Sequence, residues 1–346
     1  MFVCVRLRHA FIQRFSSTFL RRRAFHCQTV RRYPDTPANA KHLSELVKRW
    51  ELSVSPFIKI KCNLGCSISV QSLDPHEYPE ADRAFVSLLA ADAHQTIREE
   101  SFHLHYDHQS EELEIVAGEL EGNATVELVA PIKCDLHICT KDKGNVQIQK
   151  MECDRCIVYT ERGHCVLSSV KGHVVQVRSS GGNVTGLYTI HGNVDIRTSV
   201  NGNVNFKKIQ GTTMNLSAEH GDVNVKTVYA ESSSVSASSG KIQIGHVHGC
   251  ALVQSEKGNV IIGAVSIRVP STMKAAVHLC GTSVSISSEI AHQETERTSS
   301  NGKTTVTARL NGETLQERWI KASAENGAID LKTQSWFETL RLGAQS

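Results

Sequence analysis

From about residue 131 onward, apolar and polar positions alternate in short runs, and the runs themselves recur. Aligned on glycine, Gly144, Gly163, Gly182, Gly202, Gly221, Gly240 and Gly258 follow one another at intervals of 19, 19, 20, 19, 19 and 18 residues. Two positions after each glycine stand Val146, Cys165, Val184, Val204, Val223, Ile242 and Val260. Four positions after stand Ile148, Leu167, Gly186, Phe206, Val225, Ile244 and Ile262. The position directly after the glycine is polar: Asn145, His164, Asn183, Asn203, Asp222, Lys241 and Asn259. A period of two within each copy is the mark of a strand with one buried face, and the Gly-Asn pair marks the turn before it. Glycine takes positive φ without cost and Asn tolerates it, which suits both to such a turn. A second glycine series, Gly172, Gly192, Gly211 and Gly249, falls midway and splits each repeat into two strand-and-turn halves.

A period near twenty residues, all strand and turn, predicts an all-β fold: a single-chain parallel β-solenoid (a right-handed β-helix) with coils of about 19 residues. Apolar columns stack inside it, and an Asn ladder runs along one corner. A propeller blade needs about 40 residues, so the short period disfavours one; a meander of hairpins is the remaining alternative. The solenoid is expected over 131–335, with looser copies beginning at Gly122, Gly281, Gly302 and Gly327 and a polar loop over 289–303. The tail 336–346, with Trp336 and Phe337, supplies a cap. Residues 34–130 are expected to form an N-terminal helix and a β cap or irregular early coils. KHLSELVKRW (41–50) reads as a short amphipathic helix, and runs such as FIKIKC and AFVSLLA read as strands.

The run VAPIKCDLHICTKDKGNVQI, together with the repeated GNV-x-I, resembles a bacterial domain family of provisionally named adhesins. That family is a domain of unknown function with a β-solenoid fold, which a pattern of Pro, Leu-x-Val, Thr and Gly-x-Val-x-Ile opens. Pro131, Leu136, Ile138, Thr140, Gly144, Val146 and Ile148 match the pattern, and the resemblance spans about residues 130–335. It implies the solenoid, and it brings neither a demonstrated ligand nor a catalytic residue.

Charge divides the chain. Eight of its 38 basic residues are arginines within the first 34 positions, where no acid occurs, so the remainder holds 30 bases against 35 acids, a formal charge of −5. The body therefore has no overall basic surplus to neutralise phosphates, and nucleic acid is not expected as its partner. The Arg-rich, acid-free leader, with Leu7, Phe11, Phe15 and Phe19 four residues apart, reads as a mitochondrial transit peptide over 1–33, cleaved after Tyr33. The mature chain is then expected in the matrix, where most thiols stay reduced. No stretch approaches the ~20 apolar residues of a membrane-spanning helix.

Candidate chemistry is sparse. Cys153 and Cys156 form the single CxxC pair, readable as a redox couple or half a zinc site, or as small apolar packing. Cys134 and Cys153 are 19 residues apart, as are Asp135 and Asp154, so each pair is expected to stack on adjacent coils. Stacked acids are the basis for an alternative reading as a carbohydrate-active enzyme. His103 and His105 share one face of a strand with Asp107 in phase, a weak metal candidate, and His246 and His248 repeat the geometry. No phosphate-cradling loop or nucleophile elbow occurs, and no cofactor is called for. The expected function is a non-enzymatic scaffold or binding module that holds protein partners on its exposed solenoid face. The glycine series is structural, with no catalytic or cofactor-binding residue assigned.

Overall fold

The computed structural model describes residues 45–90, 101–118, 124–255, 265–269, 274–312, 319–324 and 328–333. The leader over 1–33, the tail over 336–346 and Gly122, Gly258 and Gly327 lie outside them. The described residues form strands and turns. In chain order the strands are β1 (Glu45–Ser53), β2 (Ile58–Leu64), β3 (Ser67–Ser72), β4 (Arg83–Ala90), β5 (Phe102–Asp107), β6 (Glu112–Ala117), β7 (Thr125–Ala130) and β8 (Cys134–Thr140). They continue with β9 (Val146–Gln149), β10 (Glu152–Thr160), β11 (Cys165–Ser168), β12 (Lys171–Ser179), β13 (Val184–Thr198), β14 (Val204–Ala218), β15 (Val223–Ala237) and β16 (Ile242–Ser255). The last are β17 (Val265–Val269), β18 (Ala275–Gly281), β19 (Ser283–Ile286), β20 (His292–Ser300), β21 (Lys303–Leu310), β22 (Trp319–Ala324) and β23 (Ala328–Thr333).

Pairing from β8 to β17 is parallel throughout, and each step in register is one repeat: Val146↔Cys165↔Val184↔Val204↔Val223↔Ile242. Each coil has two legs, and the stacked legs make two facing walls. The first wall runs through β8, β10, β12 and the later halves of β13, β14, β15 and β16. The second runs through β9, β11 and the earlier halves of the same four long strands. Alternation sends every second side chain between the walls. Val146, Cys165, Val184, Val204, Val223 and Ile242 are all buried there, facing the column Leu136, Cys156, Val175, Val194 and Met214. Each such side chain contributes roughly 1.5–3 kcal/mol by leaving water. The break in the apolar column at Gly186 also has a cause. A Cβ there would meet the Phe206 ring at 2.1 Å, because that ring fills the space from the next coil.

At both ends the coil order departs from chain order. The β2–β3 coil lies between β6–β7 and β8–β9, and the β22–β23 coil lies between β16–β17 and β18–β19. Antiparallel strands close the ends: β5 on β6, β4 on β7 with β1 beyond it, and the β20–β21 hairpin on β18. Such strands blunt edges that would otherwise recruit other chains, and Lys48, Arg49, Glu294, Glu296 and Arg297 put charge on them.

Three expectations change here. Residues 45–50 of the expected helix are strand β1, paired with β4 from Glu45↔Ala90 to Ser53↔Arg83. Trp50 turns inward and stacks on Phe102 with ring centroids 4.8 Å apart. The polar stretch 289–303 is mostly strand β20 rather than a loop. Gly302 opens no coil; with Asn301 it makes a two-residue hairpin turn at φ +52° and +73°, joining β20 to β21.

Candidate functional site

The glycine series lies along one edge of the stack, where the first wall turns into the second. Its reason is proximity rather than backbone freedom. A Cβ on Gly163 would lie 1.9 Å from the Gly144 carbonyl oxygen, one on Gly182 1.8 Å from that of Gly163, and one on Gly221 2.0 Å from that of Gly202. Of the described glycines in this series, Gly240 alone has a positive φ, at +146°. The turn thus needs glycine because the preceding coil's backbone passes where a side chain would be. Beside it runs the expected ladder, made of side chain to backbone bonds. The Asn145 Oδ1 accepts from the His164 N–H at 2.8 Å, and the His164 Nδ1 accepts from the Asn183 N–H at 3.0 Å. Asn183, Asn203 and Asp222 continue it, accepting from the N–H groups of Asn203, Asp222 and Lys241 at 2.9, 2.8 and 2.8 Å. This edge is occupied with holding itself together.

The opposite edge carries the candidate chemistry. A groove of about 620 Å³ runs across successive coils there, lined by Phe57, Cys134, Asp135, Cys153, Asp154 and His173 among others. Its floor follows from one column. Ile58, Cys134, Cys153 and Gly172 occupy the same position on consecutive coils, and Gly192 follows with its would-be Cβ 1.8 Å from the Gly172 carbonyl oxygen. Where the column changes from cysteine to glycine, the position next to Cys153 carries no side chain of its own, and Cys153 lines the groove while staying buried. The β10 strand turns a corner at Asp154 and Arg155, both exposed, so Cys153 and Cys156 both point inward. The thiols of Cys134 and Cys156 hydrogen-bond to Cys153 and hold it down to about 5, against the effects of burial and of Asp135 and Asp154. The same bonds and burial push Cys134 and Cys156 up. Burial alone raises Cys165 to about 12 and Cys66 to about 11.

The structure brings Asp135 and Asp154 to this groove, as their spacing implied. The Asp135 carboxylate is already engaged, accepting from the Arg155 N–H at 3.0 Å across the coil step. His103 and His105 are exposed on β5, apart from the groove-lining residues, and Asp107 takes the Gln109 N–H and the Ser110 hydroxyl instead. His246 and His248 lie on β16, where the backbone register is described. Among the described residues no three His, Cys, Asp or Glu side chains are arranged to hold a metal ion.

Further along the same edge stands a feature that the sequence reading missed. A bulge between Gly186 and Thr189 puts Tyr188 at φ +60°, 54% exposed. An aromatic residue in that region is an outlier that its surroundings must enforce. The Lys207 ammonium lies 5.1 Å from the Tyr188 ring, and the Lys208 ammonium 5.1 Å from the Tyr229 ring. Lys207 and Lys226 face outward on adjacent coils, between the register pairs Phe206↔Val225 and Lys208↔Thr227. Among the described residues no carboxylate pairs with Lys207, Lys208 or Lys226. The spacing of 19 between Lys207 and Lys226 was legible; the bulge that raises Tyr188 was not.

The Toastrack DUF4097 family model matches residues 103–331, about two thirds of the chain. The chain belongs to the Toastrack family. The match begins within β5, so the β2–β3 coil that the Toastrack stack takes between β6–β7 and β8–β9 comes from outside the matched stretch. Among solved structures, this Toastrack chain is similar to a provisionally named adhesin from Parabacteroides merdae, at 9% identity and TM-score 0.47, over 82% of this chain and 95% of that one. It is also similar to a provisionally named lipid-binding protein from Parabacteroides distasonis, at 12% identity and TM-score 0.45, over 82% and 96%. A provisionally named adhesin from the same organism follows at 11% and 0.41, over 84% and 98%. No helix among the described residues is long and apolar enough to cross a membrane.

Proposed function

We propose that this Toastrack chain is a non-enzymatic binding scaffold of the mitochondrial matrix that holds an acidic segment of a protein partner on the edge formed by Tyr188, Lys207, Lys208, Lys226 and Tyr229. The observation that carries the reading is the ladder position of Lys207 and Lys226. Like charges directly opposite in a sheet destabilise it, and no carboxylate among the described residues offsets them. A carboxylate-bearing partner would supply the missing counter-charge. Tyrosines braced by lysines are the residue types that dominate binding at interfaces, because they bring large rigid area at low entropy cost. The stack itself is filled between its walls, which leaves its outward columns for contact with a partner. The matrix location rests on the leader's arginines alone.

The test is proximity labelling in intact mitochondria with the wild-type chain and with Lys207→Glu/Lys226→Glu, whose melting temperature is first matched to wild type. Proteins with acidic segments labelled by the wild type and lost with the variant support the reading. An unchanged labelled set, or loss of binding to anionic vesicles in place of any protein, would overturn it. The second reading, a carbohydrate-active enzyme, is favoured by the meeting of Asp135 and Asp154 in one groove. Sugar binding or cleavage that survives Asp135→Asn/Asp154→Asn would remove it.

A further inference from the structure

The groove thiols have a use that the binding reading does not require. We infer that Cys153 is a thiol–disulfide exchange site: it reacts with a low-molecular-weight disulfide entering the groove and passes the oxidation to Cys134, closing a disulfide between two adjacent coils. The geometry comes from register. The Lys133↔Glu152 bridge places Cys134 and Cys153 one step further along neighbouring parallel strands, both pointing inward. Parallel neighbours lie about 4.8 Å apart, within the Cα range of roughly 4.4–6.8 Å that a disulfide spans. Access is through the groove, which Cys153 lines beside its register partner Gly172 with 7% of the residue exposed. Reactivity follows from thiolate character more than from exposure, and the two neighbouring thiols stabilise a thiolate on Cys153.

The electrons balance in two steps. The Cys153 thiolate attacks one sulfur of the disulfide RSSR, forming Cys153–S–S–R and releasing RS⁻. Cys134 then gives up its proton and attacks the Cys153 sulfur, expelling the second RS⁻. The two thiolates take up the proton of each protein thiol, so RSSR is reduced to two RSH while the two cysteines are oxidised to one disulfide. Cys156 is the poorer partner. It also hydrogen-bonds to Cys153, but it is fully buried behind the groove, whereas Cys134 lines the groove beside Cys153. Other thiols lack either access or a partner. Cys62, Cys66 and Cys165 are buried and do not line the groove, while the half-buried Cys139, Cys250 and Cys280 face Tyr159, Ser232 and Ser323 in register.

The experiment uses the full chain with oxidised glutathione as the probe at neutral pH, followed by alkylation of remaining thiols and peptide mapping. The expected products are a Cys134–Cys153 disulfide in the wild type and a stable Cys153–glutathione adduct in Cys134→Ser. Oxidation at Cys139, Cys250 or Cys280 with Cys153 left alkylatable would overturn the proposal, as would a Cys153–Cys156 disulfide. Because Cys134→Ser can disturb packing, a second measurement uses the unmodified protein. Iodoacetamide should label Cys153 at least tenfold faster than Cys139, and an equal or slower rate would also sink the idea.

Discussion

Gly181 and Gly182 are neighbours in sequence, and replacing each by alanine separates the stacking argument from any general intolerance of side chains in the turn. On Gly182 a Cβ would lie 1.8 Å from the Gly163 oxygen and 2.5 Å from its carbonyl carbon; on Gly181 it would sit 3.6 Å from the Glu161 oxygen, an ordinary contact. Neither glycine has a positive φ, so backbone strain does not distinguish them. Relief of the Gly182 clash requires the two coils to part by roughly 1 Å. That movement stretches the Cys165 N–H to Asn183 carbonyl bond and the Ser180 N–H to Thr160 carbonyl bond, both now 2.9 Å. Two weakened backbone bonds cost about 1 kcal/mol each, and the overpacking itself costs about 1–3 kcal/mol, so Gly182→Ala should lose roughly 3–5 kcal/mol. Gly181→Ala should be neutral or gain about 0.5 kcal/mol through a less flexible unfolded chain. Equilibrium urea unfolding followed by circular dichroism reads the difference as a shift in midpoint at unchanged slope. Midpoints for the two variants within the equivalent of about 0.5 kcal/mol of one another would refute the close approach of coils at this edge.

Other outcomes follow from the same register. Val204→Asp places an unpaired charge between the walls and should cost about 3–5 kcal/mol, whereas Asn203→Asp keeps the acceptor for the Asp222 N–H and should cost under about 1 kcal/mol, both by urea unfolding. Thr140→Val removes the hydroxyl that donates to the Gly144 carbonyl at 2.8 Å and should cost about 1–3 kcal/mol. Thr160→Val removes a buried hydroxyl with no hydrogen-bond partner, so the same assay should find it neutral or stabilising. Cys62 and Cys165, whose buried thiols are pushed well above the ordinary range, should resist alkylation at pH 8 in the native protein and react only on unfolding.

The middle of the stack was legible because two signals coincide there: alternation within each leg, and a repeat of 19 or 20 that lines up valine-like residues. The glycine positions were legible while their reason was not, since positive φ and close backbone approach both select glycine. Residues 45–50 misled because Leu46 and Trp50, four apart, fit a helical face, whereas in the strand a bulge between Leu46 and Lys48 leaves Leu46 exposed and turns Trp50 onto Phe102. Strand pairing with β4, residues 83–90, decided between them, and nothing local encodes that. The exchange of coil order at the ends was likewise hidden, because β2–β3 and β6–β7 share one alternating pattern. The Asn301-Gly302 hairpin signal was present and should have been read as a turn between antiparallel strands. At the groove, the spacing of Cys134 and Cys153 was visible, and so was Gly172 a further 19 residues on. Their meaning emerged only when register put the glycine over the thiol.

The most direct test of stacked parallel coils is a methyl–methyl nuclear Overhauser spectrum of the labelled chain. Cross-peaks should link Val184 to Val204, Val204 to Val223 and Val223 to Ile242, each one repeat apart. Cross-peaks that instead pair residues symmetrically about the turns at Gly202 and Gly221, as hairpins would, contradict the coil stack and the binding edge built on it.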